Sequence, residues 1–249
     1  MDTQEPLAKS PLSFTDIIIN TFASPSQVFE GLRGTESRVM VWLVPILLMI
    51  IVASLTFSMM MTTDSLKEQF MQNQRERVQE AVDAGRITQA QGDQQVEQLD
   101  QMGGLYIAIG IVGTVITLTL ILFFAALVLW LVGKFGLKSP EGYGKYLELY
   151  GVSCWIAAFG TIVTLLLIIG LNTIHASPSA ALAVLSNYSA KDMTHRILSS
   201  LNVFSLWQTA VIGIGLSKYS QKSLVTGISI AVVLWLITTA AVLGLSQAF

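Results

Sequence analysis

"VMVWLVPILLMIIVASLTF", residues 39–57, contains no charged side chain, and the apolar run continues to Met61. About 20 apolar residues in a helix cross the roughly 30 Å hydrocarbon core of a bilayer. The stretch therefore reads as a membrane span over 39–61. Composition agrees. Hydrophobic residues make up 53% of the 249-residue chain and charged residues 12%, against about 25% charged in soluble domains. Mean hydropathy is +0.63. These values describe an integral membrane protein.

Further apolar runs lie near 105–133, 151–174, 201–217 and 224–247. The fourth is the weakest. Its uniformly apolar part, "WQTAVIGIGL", is short and contains Gln208. Five spans are expected, with four as the alternative. The expected fold class is all-α: a five-span helical bundle with short interfacial helices and an extramembrane helical hairpin insert. Residues 1–38 read as an N-terminal cytoplasmic or interfacial segment, 39–249 as the membrane domain, and 62–104 as the insert. The first forty residues show no cleavable signal pattern.

Just before the first span, "FASPSQVFEGL" (22–32) predicts a helix start. Ser24 suits the N-cap, Pro25 the first helical position, and Gln27 the reciprocal position of a capping box. Phe14, Ile17, Ile18 and Phe22 also recur at helical spacing. Residues 13–32 thus predict two short helices broken at Ser24-Pro25, with Phe14, Phe22, Pro25 and Phe29 at the membrane interface.

The insert carries two further capping boxes, "SLKE" at 65–68 and "TQAQ" at 88–91, with Gly85 as a helix stop between them. Leu66, Phe70, Val78 and Val82 form a stripe too thin for an independent core. A solvated stalk is expected, with an oligomer contact as the alternative. Gly103 and Gly104 read as a hinge into the second span. In 176–201, helix starts are expected at Ser177-Pro178 and at Ser189. Met193, Ile197 and Leu201 share a face, as in a helix lying on the membrane.

Orientation follows from Lys and Arg in the loops. With the N-terminus inside, the inner side holds eight of them, including the loop residue Lys145 and, close to span ends, Lys134, Lys138, Lys218 and Lys222, and the outer side six. The N-terminus is expected in the cytoplasm and the C-terminus outside.

The span cores contain no Asp, Glu, Lys, Arg or His, the usual residues of proton relays, ion coupling and voltage sensing. No Ser/His dyad, Asp pair or HExxH lies in a span, so no catalytic residue is expected. The net charge of −2 and the lack of a dense basic run argue against nucleic acid. Cys154 is the single cysteine and reads as a small buried residue. His175 and His195 read as surface residues, so no metal or cofactor is expected. The spans do carry small and weakly polar residues. Thr114, Thr117, Thr161, Thr164, Gln208, Gly213 and Gly215 suit helix packing or the lining of a cavity.

Three stretches together resemble the Yip domain family of Ypt-interacting multi-pass membrane proteins. They are "FASPSQVFEGL", "GLKSPEGYGKYLELYGVSCW" (136–155) and "LNVFSLWQTAVIGIGLSKYSQKS" (201–223), in which Phe204, Trp207 and Gly215-Leu216-Ser217 stand in matching order. The insert is similar to that of prokaryotic members, which implies a bacterial inner membrane. The resemblance implies no catalytic residues and no cofactor. Eukaryotic relatives associate with Rab-type GTPases, a partnership that does not transfer to this chain. The expected partners are the lipid bilayer and a second membrane protein, identical or different, meeting it through membrane helices. The expected function is a non-enzymatic scaffold or organiser of membrane or protein assemblies. The alternative is a channel or transporter for a lipid or small neutral solute, lined by the threonines above with Ser153, Asn172 and Gln208.

Overall fold

The computed structural model describes residues 12–101 and 103–248. Its first helix, α1 (Phe14–Ala23), opens on a complete capping box. The Asp16 amide donates to the Ser13 hydroxyl at 3.1 Å, and the Ser13 amide donates to the Asp16 carboxylate at 3.3 Å. The capping box expected at Ser24 and Gln27 is not formed. Ser24 makes no side-chain cap, and its carbonyl accepts from the Gln27 amide at 2.9 Å instead. The break itself stands where expected, because Pro25 occupies the start of α2 (Pro25–Leu32).

Next come α3 (Val39–Thr62), α4 (Asp64–Asp83), α5 (Gln89–Gln101) and α6 (Gly103–Leu131), then a π turn at Val132–Gly136. After these come α7 (Tyr143–Leu171), a 3-10 segment (Ala180–Asn187), α8 (Met193–Ser200), α9 (Val203–Ser220) and α10 (Leu224–Ala248). Among the described residues the extended pairing is one isolated bridge, Ser179 with Asn202. Four helical stretches are long and apolar enough to cross a membrane: Val39–Thr62, Gly104–Gly136, Tyr143–Leu171 and Leu224–Gly244. The 18-residue α9 contains Gln208 and Lys218 and is less apolar. Its buried residues include Thr209, Ser217 and Ser220. A helix whose polar side chains face protein does not need the uniform apolarity that lipid demands.

The chain divides into two compact units. One comprises the chain up to Ile46, Leu122–Ile156 and Trp207–Leu234. Its helices meet at glycines. A Cβ on Gly213 would come within 2.5 Å of the Ile228 Cα, and one on Gly227 within 2.8 Å of the Ser217 Cβ, so α9 and α10 touch nearly backbone to backbone. A Cβ on Gly151 would strike Trp42 in the same way. The apolar faces of α1 and α2 close this unit. Ile17, Val28, Phe29 and Leu32 are fully buried, each worth about 1.5–3 kcal/mol relative to exposure to water. The Lys218 ammonium lies 2.5 Å from the Glu30 carboxylate and ties α2 to the end of α9.

The second unit comprises Leu47–Ile121, Ala157–Leu206 and the chain from Trp235. The insert belongs to it and forms the expected hairpin. Its second capping box forms, with the Thr88 amide donating to Gln91 at 2.9 Å and the Gln91 amide to Thr88 at 3.3 Å. Gly85, at φ +67°, ends the first arm, and Gly92 leaves room for Val82 and Val78. The first expected box is absent. Helix α4 starts at Asp64, so Ser65 lies inside it and its hydroxyl bonds Asn172 Oδ1 at 2.7 Å. Nor does α4 stand clear as a stalk. Gln69 donates to the Asn172 carbonyl at 3.0 Å and accepts from the Ile174 amide at 3.2 Å. Phe70 sets its ring against Phe57 and Tyr106 at 5.9 and 6.1 Å between centroids. The thin stripe finds its core in these neighbours. The N-cap of α8 is Asp192, which accepts from the Thr194 amide at 2.7 Å. Ser189 does not cap it: its hydroxyl accepts from the Lys191 amide at 3.2 Å, and its own amide donates to His195 Nδ1.

Candidate functional site: a buried ion pair and a polar cavity

Helix α7 begins at Tyr143, before the span expected from residue 151. Lys145 and Glu148 therefore fall in its first two turns, three residues apart and on one side. Both are buried, at 4% and 0% exposure. The Glu148 carboxylate accepts from the Lys145 ammonium at 2.6 Å and from the Arg38 amide at 2.5 Å. Lys145 also donates to the Thr35 hydroxyl at 3.0 Å and the Glu36 carbonyl at 3.1 Å. Three acceptors match the three donors of an ammonium group. Beside this pair, Glu141 accepts from the Gly34 amide at 2.9 Å, and Gly34 adopts φ +71°, which favours glycine. The segment joining α2 to α3 is thus held by two carboxylates and one ammonium group. Chemically, such a network fixes a backbone path, since Lys145 has no donor left for a ligand.

The same unit stacks Tyr146 edge-on to Tyr219 at 5.9 Å, and Tyr219 edge-on to Phe29 at 5.8 Å. The Tyr146 hydroxyl lies over Gly133, where a Cβ would collide with it. The Ser139 hydroxyl donates to the Tyr219 carbonyl at 2.9 Å and anchors the turn before α7.

The second unit contains a cavity of about 1560 Å³ bounded by α4, the 174–205 segment and the C-terminal half of α10. Tyr188 lies between the two histidines, 4.6 Å from His175 and 5.7 Å from His195 between ring centroids. Burial holds the His175 imidazole below its usual pKa, against a smaller opposing pull from Glu76. The Thr194 amide holds the Asp192 carboxyl below the usual carboxylate range. Lys191 reaches Glu80 at 3.2 Å. Among the described residues no three His, Cys, Asp or Glu side chains group as a metal site.

The Yip1 domain matches the sequence over residues 19–245. The chain belongs to the Yip1 domain family. With its four long apolar helices, this Yip1 domain is a multi-pass membrane protein. No curated protein and no solved structure matches the chain.

Within the Yip1 domain the residues singled out from sequence fall at separate places. Thr114, Thr161 and Thr164 each donate to the carbonyl four residues back on their own helix, at 2.9, 2.9 and 2.8 Å. Thr164 also borders the cavity, whereas Thr117 is exposed. Gln208 donates to the Ser153 hydroxyl at 3.2 Å, which in turn donates to the Tyr150 carbonyl at 2.7 Å. Gly213 faces α10, and Gly215 faces Leu149 and Phe29. Of the four aromatic-segment residues, Phe29 is wholly buried, Phe22 packs edge-on to Trp207 at 5.6 Å, and Phe14 packs edge-on to Trp155 at 6.2 Å. Pro25 is half-buried.

Sequence reasoning missed the Lys145–Glu148 pair by counting Lys145 as a loop charge. The signal was available: a Lys and a Glu three apart inside "YGKYLELYGVSCW", among apolar residues that continue directly into the span.

Proposed function

We propose that this Yip1-domain protein is a non-enzymatic organiser of membrane or protein assemblies. In this reading α9 is a fifth crossing, the N-terminus is cytoplasmic and the C-terminus outside, and the membrane is a bacterial inner membrane. The reading rests on one observation: most of the polar side chains singled out on the apolar helices are already engaged within the chain. The hydroxyls of Thr114, Thr161 and Thr164 bond their own helices, Gln208 bonds Ser153, and the buried ion pair holds the 33–38 segment. Such groups build a rigid support.

The face of α6 supplies a place for association. Gly113 and Thr117 are exposed and four residues apart, and a Cβ on Gly113 would meet nothing within 4 Å. Small residues at this spacing let two membrane helices approach closely. A second copy of the chain is the expected occupant. The test is oxidative cross-linking in native membranes of Thr117→Cys on a Cys154→Ser background, beside Val115→Cys on the far side of α6. A cross-linked homodimer at 117 and none at 115 is expected. Equal cross-linking at both positions, or none at either, contradicts association through this face. The alternative, conduction of a lipid or small neutral solute, would draw on Thr114, Thr117, Thr161, Thr164 and Gln208.

A further inference from the structure

The insert is acidic as a segment, with eight Asp and Glu against four Lys and Arg over 62–104. The side it turns to the cavity is not. That side contributes Arg77 and Arg86 against Glu76 and Glu80. The facing 174–205 wall adds Lys191 and Arg196 and no carboxylate. Cations thus outnumber anions two to one at a place where the surrounding composition runs the other way. Three of these four cations already interact within the chain: Lys191 meets Glu80, Arg196 donates to the Leu243 carbonyl at 2.9 Å, and Arg86 is engaged as well. Arg77 has no hydrogen bond or ion pair among the described residues.

The third wall differs in kind. It is the C-terminal half of α10, from Trp235 midway along the helix to Val242 and Leu243 near the end of its apolar stretch, on a helix apolar enough to cross a membrane. The cavity therefore runs from the hydrophilic face of α4 to the flank of a membrane helix within one unit. That gradient, from charged side chains to an apolar helix flank, matches the passage from headgroups to acyl chains, and Trp235 stands at the depth of the chains. The cavity volume of about 1560 Å³ exceeds the roughly 300–1,000 Å³ of ordinary small-molecule sites. Guanidinium groups present paired donors that fit phosphate oxygens.

We propose that this cavity binds an anionic phospholipid, with the phosphate among Arg77, Arg86 and Lys191 and the upper acyl chains against Trp235 and Val242. The site is separate from the α6 face and does not depend on the organiser reading. Binding needs the charge and the chains together, so a free phosphate compound is a poor substitute.

The test uses the full chain purified in a neutral detergent, with phosphatidylglycerol and phosphatidylcholine labelled on an acyl chain as probes. Phosphatidylglycerol is expected to bind about tenfold or more tightly than phosphatidylcholine, the scale of one or two charged hydrogen bonds. Arg77→Glu with Lys191→Glu should remove that preference. Both positions are exposed, so the variant should fold, and its melting profile checks this. Arg77→Gln alone carries the test where the double variant melts early. Lys134→Glu with Lys222→Glu, in the other unit, should leave binding unchanged. Phosphatidylglycerol brominated on its chains should quench wild-type fluorescence more than that of Trp235→Phe. Equal binding of the two lipids, or an unchanged preference in the Arg77 variants, would mean bulk annular lipid only and overturn the proposal. So would full displacement by chain-free glycerophosphoglycerol at equal concentration, which would mark a soluble phosphate site.

Discussion

Replacing Glu148 by Leu removes the carboxylate that accepts from both Lys145 and Arg38. The ammonium group is then left at 4% exposure with two neutral acceptors, Thr35 and Glu36. Removing one partner of a buried pair costs about 3–5 kcal/mol. The orphaned Arg38 amide belongs to the same loss, at about 1–3 kcal/mol for an unmade buried hydrogen bond. Stability totals only about 5–15 kcal/mol for a typical protein, so the single variant should be strongly destabilised. Lys145→Met with Glu148→Leu removes both charges and leaves chiefly the amide unmet. The double variant should therefore be more stable than Glu148→Leu, by about 1–3 kcal/mol, despite carrying one more substitution. The assay is unfolding in mixed micelles over a denaturing-detergent titration, arranged as a double-mutant cycle. Hydrogen exchange over 33–38 adds a local readout, since this is the segment the pair holds. A Glu148→Leu variant within about 0.5 kcal/mol of wild type, the scale of ordinary surface changes, would refute the reasoning. Strictly additive losses in the cycle would do so too.

Two further outcomes are expected. A cysteine at Gln91 on a Cys154→Ser background should label with a membrane-impermeant thiol reagent in intact cells, and labelling only after lysis would reverse the proposed orientation. His175 has its pKa below 6.5 through burial, so the folded chain favours the neutral ring. That contribution is complete above about pH 6.5 and is lost as pH falls through the lower folded value. Hydrogen-exchange protection over 172–202 should drop on acidification, and His175→Phe should lessen the drop. Identical pH profiles for the two proteins would exclude His175 as its source.

Apolar run length made the membrane class and four long helices legible, because lipid leaves few alternatives to a helix with all its backbone bonds internal. Backbone-governed features were legible as well: Pro25 opening α2, Gly85 ending α4, and Thr88 with Gln91 capping α5. Capping boxes were less so. The patterns at Ser24 and Ser65 have the right spacing, yet Ser24 makes no cap bond and Ser65 turns to Asn172. A short polar side chain takes whichever partner the tertiary structure brings near, and spacing alone does not say which. The same reason hid the ion pair. Lys145 and Glu148 read as charges at a span end until the 33–38 segment is placed over them. The cavity wall was hidden too, because Arg77 and Lys191 are far apart in sequence and belong to segments of opposite character.

Whether the polar groups of the apolar helices hold the bundle or pass a solute is most directly tested by flux. Proteoliposomes containing the purified protein would be given an imposed proton or sodium gradient, with uptake of labelled sodium and of small neutral solutes recorded against protein-free vesicles. The account predicts equal rates with and without protein, since Gln208 is engaged by Ser153 and Thr161 by its own helix. Reproducible protein-dependent uptake, abolished by Gln208→Leu or Thr161→Val in a variant that still folds, would contradict it and establish the transporter reading.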